Sequence, residues 1–111
     1  MFDHISIGVS DMARSRAFYD AVLATLGFER VMTFDAFAGY GTDDGYPRFC
    51  INPPLDKTKK AAPGLGTHIC SQSPDRKSVQ AFHAAALVNG AKRSEEHTSE
   101  LQSLAYLVCR L

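Results

Sequence analysis

The sequence predicts an α+β fold of tandem βαβββ modules, the second incomplete, and three observations carry that reading. The first is an internal repeat. His4 recurs as His68, Ile5 as Ile69, Asp11 as Asp75, Ala17 as Ala81, Phe18 as Phe82, Ala21 as Ala85 and Leu23 as Leu87, all at one ungapped offset of 64 residues. So many matches within one short window argue for a structural unit used twice. The second is alternation: Phe2, His4, Ser6 and Gly8 fall on one side of an extended chain, Asp3, Ile5, Ile7 and Val9 on the other. The third is a helical spacing of apolar residues directly after each copy of that strand.

The opening strand spans 2–9. His4 points away from the apolar side, and small Ser6 and Gly8 leave space in front of its ring. Ser10 or Asp11 caps the helix that follows. Its stripe reads Ala17, Phe18, Ala21, Val22 and Leu26, with Arg14, Arg16 and Asp20 on the far side and Gly27 at the C-terminal end. Residues 28–34 form a second strand. Residues 37–42 and 47–52 form a hairpin around the turn Asp43-Asp44-Gly45-Tyr46. The aromatics Phe28, Phe34, Phe37, Tyr40 and Phe49 belong mostly to the core. The first module is thus 1–52.

Residues 53–64 are a connector, opened by Pro53-Pro54 and closed by Pro63-Gly64. Its lysines, Lys57, Lys59 and Lys60, read as a solvated loop rather than a phosphate site. The second module begins at 65–92. Residues 65–71 form a strand, Ser73 is the N-cap and Pro74 the first-turn proline of a helix, and Val79, Phe82 and Ala86, flanked by Ala85 and Leu87, face inward until Asn89-Gly90 ends it. Repetition of the first module calls for three more strands, yet only 91–111 remain, and that text does not read as strands.

Totals bound the function. One domain's worth of chain, 111 residues, can bury a single modest core. Twelve basic against twelve acidic residues leave no field for nucleic acid or an anionic membrane. No apolar run reaches the roughly 20 residues of a membrane span, and the N-terminus lacks the layout of a secretory signal. Cys50, Cys70 and Cys109 are odd in number and without CxxC spacing, which suggests reduced thiols and a cytoplasmic protein. Cys50 and Cys70 sit in apolar strands, as small hydrophobes do. No Ser-His-Asp or Cys-His arrangement stands out, and Gly39-Tyr40-Gly41 lies in a strand pattern rather than a phosphate loop.

The tail needs its own reading. Arg93-Ser94-Glu95-Glu96-His97-Thr98-Ser99-Glu100-Leu101-Gln102-Ser103 resembles the translation of a common short-read sequencing adapter, with 104–111 as readthrough. On that reading 1–92 is the domain and 93–111 is a non-native tail, so Glu95, Glu96, Glu100 and His97 are not recruited to any site. The alternative is a genuine C-terminal helix striped by Leu101, Leu104, Val108 and Leu111.

Paired βαβββ units, each opening on a histidine, resemble the vicinal oxygen chelate superfamily, which includes glyoxalase I, extradiol dioxygenases and the bleomycin- and fosfomycin-resistance proteins. The resemblance rests on Phe2-Asp3-His4-Ile5-Ser6-Ile7-Gly8-Val9-Ser10-Asp11, on Ser15-Arg16-Ala17-Phe18-Tyr19-Asp20 leading to Leu26-Gly27-Phe28, and on Gly66-Thr67-His68-Ile69. It covers 1–92. It implies a glyoxalase-like fold in which each module forms half of a cup around a divalent metal, Zn, Ni, Fe or Mn. His4 and His68 match the two opening-strand ligands. Imidazole suits these metals, and two histidines with one carboxylate leave positions open for two substrate oxygens.

Two departures from the family matter. Arg48-Phe49-Cys50-Ile51-Asn52 has no carboxylate where glyoxalase I places one, and the last strand of the second module, where a glutamate would belong, is absent. Metal binding is therefore expected in the intact parent and weak or absent in this chain.

Each histidine alone reads as structural. Their equivalence in the repeat favours a shared metal, since a core role does not need one residue at the same station twice. His83 lies on the exposed side of the second helix. The parent is expected to be a metal-dependent lyase or isomerase acting on a small oxygenated substrate, with this chain inactive. The alternatives are an extradiol-type dioxygenase and a ligand-sequestering protein of the bleomycin-resistance type. Half a cup leaves an unpaired sheet edge and an apolar face, so low stability or homodimerisation is expected.

Overall fold

The computed structural model describes residues 1–54 and 69–91, together with the backbone of 107–110. Its elements run β1 (Ile5–Gly8), α1 (Met12–Ala24), β2 (Glu29–Phe34), β3 (Phe37–Gly41), β4 (Phe49–Asn52), β5 (Ile69–Gln72), α2 (Arg76–Val88) and β6 (Leu107–Arg110). A four-stranded sheet has the order β1-β4-β3-β2, and β5 pairs with β6 in a second, two-stranded sheet. The 64-residue offset survives into three dimensions. β5 begins and ends 64 residues after β1, and α2 does the same relative to α1. The caps repeat as well: Asp11 accepts from the Arg14 amide at 3.1 Å, Asp75 from the Ser78 amide at 2.7 Å. Each satisfies one of the amide donors that a helix start leaves unpaired.

β4 lies antiparallel to β3, with Tyr40 opposite Phe49 and Ala38 opposite Ile51, and parallel to β1, with Ile5 opposite Phe49 and Gly8 opposite Asn52. β2 joins the far edge with a register shift between Arg30 and Met32. One face of this sheet buries Ala38, Tyr40, Phe49 and Ile51 against Phe18, Tyr19, Val22 and Leu23 of α1, and Phe82 of α2 enters the same core. Tyr19 stands at its centre, with ring centroids 5.0 Å from Phe18 and 5.1 Å from Phe49.

Several expectations change. The buried stripe of α1 is Ser15, Phe18, Tyr19, Val22 and Leu23. Ala17 is exposed, because the wide sheet beneath the helix selects the large side chains one position on. Arg16 is not on the solvent side. Its Nη2 donates to the carbonyls of Phe34, Asp35 and Phe37, tying α1 to the β2–β3 turn. Phe34 is 63% exposed at the sheet edge, and Leu87 is exposed on α2. Cys70 is exposed while Cys50 is buried, since β5 sits at the periphery and β4 is central.

At the end of the tail, where the text did not read as strands, one forms. Leu107–Arg110 is a strand, parallel to β5 with Ile69 opposite Leu107 and Gln72 opposite Arg110. That register reproduces β1 on β4 station for station. Backbone amides and carbonyls along β5 need partners, and a run beginning Leu107-Val108-Cys109 has strand-forming residues with which to supply them. The connector and the adapter-like stretch lie outside the described residues. No helix among the described residues is long and apolar enough to cross a membrane.

Candidate functional site

Alternation along the sheet sets what the face opposite the helices carries. Cys50 pairs with Ser6 and with Gly39, and Asn52 with Gly8, so Ser6, Gly8, Gly39, Cys50 and Asn52 share that face. Apart from Asn52 these are small residues. Gly39, and Gly41 two residues on in the same strand, are small by necessity: a Cβ on Gly41 would lie 2.1 Å from the Tyr46 carbonyl oxygen, and one on Gly39 would lie 2.7 Å from Pro47 Cβ. The turn after β3 therefore folds down onto the sheet, with Gly45 at φ 73° closing it. Ser6 donates its hydroxyl to Asn52 Oδ1 at 2.7 Å, and Asn52 donates Nδ2 to the Pro53 carbonyl at 2.9 Å. Burial pushes the Cys50 thiol up from its ordinary value, which makes it a poor nucleophile.

His4 stands immediately before β1, its side chain 51% exposed. Its Nδ1 lies 2.8 Å from Asp3 Oδ2. The Asp3 carboxylate also accepts from the Tyr46 hydroxyl, at 2.9 Å through Oδ1 and 2.7 Å through Oδ2. The hydrogen bond from His4, then that from Tyr46, hold the Asp3 carboxyl below its ordinary value. The same contact with Asp3 raises the Tyr46 phenol. Tyr46 is fixed in turn: its amide donates to Asp44 Oδ1 at 3.0 Å, and the Arg48 guanidinium lies 4.5 Å over its ring while pairing with Asp44 at 3.1 Å. A short polar relay thus runs from the turn through Tyr46 and Asp3 to the imidazole.

The Asp3–Tyr46 link is the part that sequence reasoning missed. Asp3 was visible as the neighbour of His4, but Tyr46 read only as a turn residue. Its role depends on the turn lying flat against Gly39 and Gly41, and that pair of glycines in a strand was the available signal.

His68, the repeat partner of His4, lies outside the described residues, one position before β5. His83 is exposed on α2, as expected. Among the described residues no three His, Cys, Asp or Glu side chains converge on a point where a metal ion could sit. His4 does fit such an ion as a single donor. One nitrogen is committed to a carboxylate, and Nε2 has no partner among the described residues. A carboxylate behind the imidazole is the usual setting of a metal-binding histidine.

Comparison with known proteins places the architecture. No family model matches the chain, and no curated protein sequence matches it significantly. Solved structures do. A glyoxalase/bleomycin resistance protein from Albidiferax ferrireducens superposes with a TM-score of 0.76 at 32% identity, covering 86% of this chain and 75% of that one. A candidate glyoxalase from Bacillus halodurans gives 0.68 at 20% identity, over 86% of this chain and 74% of that one. A glyoxalase/bleomycin resistance protein/dioxygenase family enzyme from Burkholderia phytofirmans gives 0.57 at 18%, over 83% and 76%. The last two are alike in fold.

Proposed function

Because the chain belongs to the glyoxalase/bleomycin resistance family of the vicinal oxygen chelate superfamily, we propose that it derives from a metal-dependent lyase or isomerase acting on a small oxygenated substrate. The observation that carries this reading is His4: an imidazole at the head of β1 with Nδ1 tied to a carboxylate and Nε2 free to donate among the described residues. His4 and His68 would hold the ion. When bound, it would supply Lewis-acid polarisation of a substrate oxygen pair.

The chain's own residues do the rest. Asp3 orients the His4 ring. Ser6 and Asn52 line the same side of the sheet with a hydroxyl and an amide that can meet polar substrate atoms. Gly8 lies under the Pro54 backbone, which a side chain there would meet at 3.7 Å. With two imidazoles and no assigned carboxylate, the site is expected to hold a divalent ion weakly. A cytoplasmic location and self-association into a homodimer belong to the same proposal.

A second reading, a ligand-sequestering protein without metal, draws support from the half-exposed position of His4. Metal analysis after equilibration with Zn²⁺, Ni²⁺ or Fe²⁺ separates the readings. Retention of Zn or Ni that is lost in His4→Ala supports the lyase. Preferential retention of Fe moves the reading to a dioxygenase. Uptake unaffected by His4→Ala defeats the metal site and leaves the sequestering protein.

A further inference from the structure

We infer that Asp3 and Tyr46 are positioning residues that fix the tautomer of His4, holding its proton on Nδ1 and presenting Nε2 as the bare donor. This deepens the metal-site reading and rests on it for its purpose, but the tautomer is a property of the chain alone.

Hydrogen-bond chemistry decides the direction of the proton. An ionised carboxylate only accepts. Asp3 Oδ2 lies 2.8 Å from His4 Nδ1, and both Asp3 oxygens accept from the Tyr46 hydroxyl. Nδ1 must therefore donate, and a neutral imidazole that donates from Nδ1 carries its lone pair on Nε2. Free histidine prefers the opposite tautomer, so the observed contact works against an intrinsic bias.

Tyr46 keeps the carboxylate from swinging away. It comes from a turn 43 residues further along the chain. The Asp44 carboxylate and the Arg48 guanidinium hold Tyr46 from both sides, and the glycine floor at Gly41 lets its carbonyl approach. Asp3 and Tyr46 are both exposed, and neither contributes to the core. A purely structural account gives no reason for Asp3 to be held against one imidazole nitrogen at the surface by a tyrosine from a distant turn.

The test is nitrogen-15 NMR of the imidazole in the full 111-residue chain, recorded at rising pH until the ring signals no longer change. His4 is assigned by its loss in His4→Ala. The native chain is expected to show the Nδ1–H form in the majority. Asp3→Ala should shift the majority to Nε2–H, Asp3→Glu should restore part of the Nδ1–H form, and Tyr46→Phe should fall between. A majority of Nε2–H in the native chain, or a tautomer ratio indifferent to Asp3→Ala, overturns the inference.

Titration of the same variants with Ni²⁺ alone, in competition with a chromophoric chelator, tests the purpose. Asp3→Ala is expected to weaken binding by about 10–100-fold and His4→Ala to abolish it. If the tautomer follows Asp3 while Ni²⁺ binding ignores His4→Ala, the positioning stands and the metal reading falls.

Discussion

Tyr40 shows how one buried side chain can serve packing and polarity together. Its ring is fully buried between sheet and helix, and its hydroxyl reaches the rim to donate to Asp20 Oδ1 at 2.9 Å. Asp20 in turn pairs with Arg30 of β2 at 3.3 Å. Tyr40→Phe keeps the ring and removes the link, and is expected to cost about 1 kcal/mol, read from the shift in urea midpoint at unchanged slope. Burial raises the phenols of Tyr40 and Tyr19 far above their ordinary values, which keeps them neutral wherever the chain is folded. Acid acts at other positions. Asp75 and Asp44 are held below the usual 3.8, first of all by the amides of Ser78 and Tyr46 respectively. A depressed carboxyl binds fewer protons folded than unfolded, so its contribution is present above pH 3.8 and is lost as pH falls through the lower folded value. Melting temperature should therefore drop on acidification below that point, with a shallower drop in Asp75→Ala. The second helix cap, read at Ser73, lies at Asp75, whereas His4 could be picked out by reading the repeat. The Asp3–Tyr46 contact could not, because two exposed polar residues far apart in sequence leave no pattern until a turn brings them together.

At the scale of elements, periodicity located every strand and helix of the first module, and the errors fell on faces and ends. Apolar spacing alone favoured Ala17 and Ala21, and it could not weigh the size of Tyr19 against them. Nor does a charged residue such as Arg16 announce that its stem will run inward to cap a neighbouring turn. The β3–β4 hairpin was plain from its Asp-Asp-Gly-Tyr turn, but the way that turn lies on the sheet was not. Gly41 provides the measure of it. Gly41→Ala forces a methyl group to within 2.1 Å of the Tyr46 carbonyl oxygen, and backbone on both sides cannot yield cheaply. A loss of about 1–3 kcal/mol is expected. The His4 tautomer should move with it, because the displaced turn withdraws Tyr46 from Asp3. Stability that is unchanged on calorimetry would mean that the turn does not rest on the sheet.

For the whole molecule, the duplicated unit was legible because helix starts and strand alternation recur at one offset, and the family followed from that text. The second module was legible only as far as α2. Backbone pairing is nearly blind to side chains, so a strand at Leu107–Arg110 could not be foreseen in a stretch without alternation or turn signals. β6 covers one edge of β5, while Phe2, Phe34 and Val88 remain strongly exposed. Removing 93–111 is expected to lower the melting temperature and increase self-association, measured by light scattering across a concentration series. The intact chain should itself show marginal stability or dimerise. A monomeric, sharply melting product after the deletion would mean that β6 contributes nothing.

The parallel joining of β1 to β4 has a kinetic meaning. The β2-β3-β4 meander closes over short loops, whereas Ile5 must find Phe49 across the helix and both hairpins, a search whose entropy is lost before any contact repays it. Assembly is thus expected to be ordered, with the meander condensing on α1 and the N-terminal strand docking last. The imidazole and the carboxylate beside it arrive with that final strand, so the candidate site comes into being only when the first module is complete.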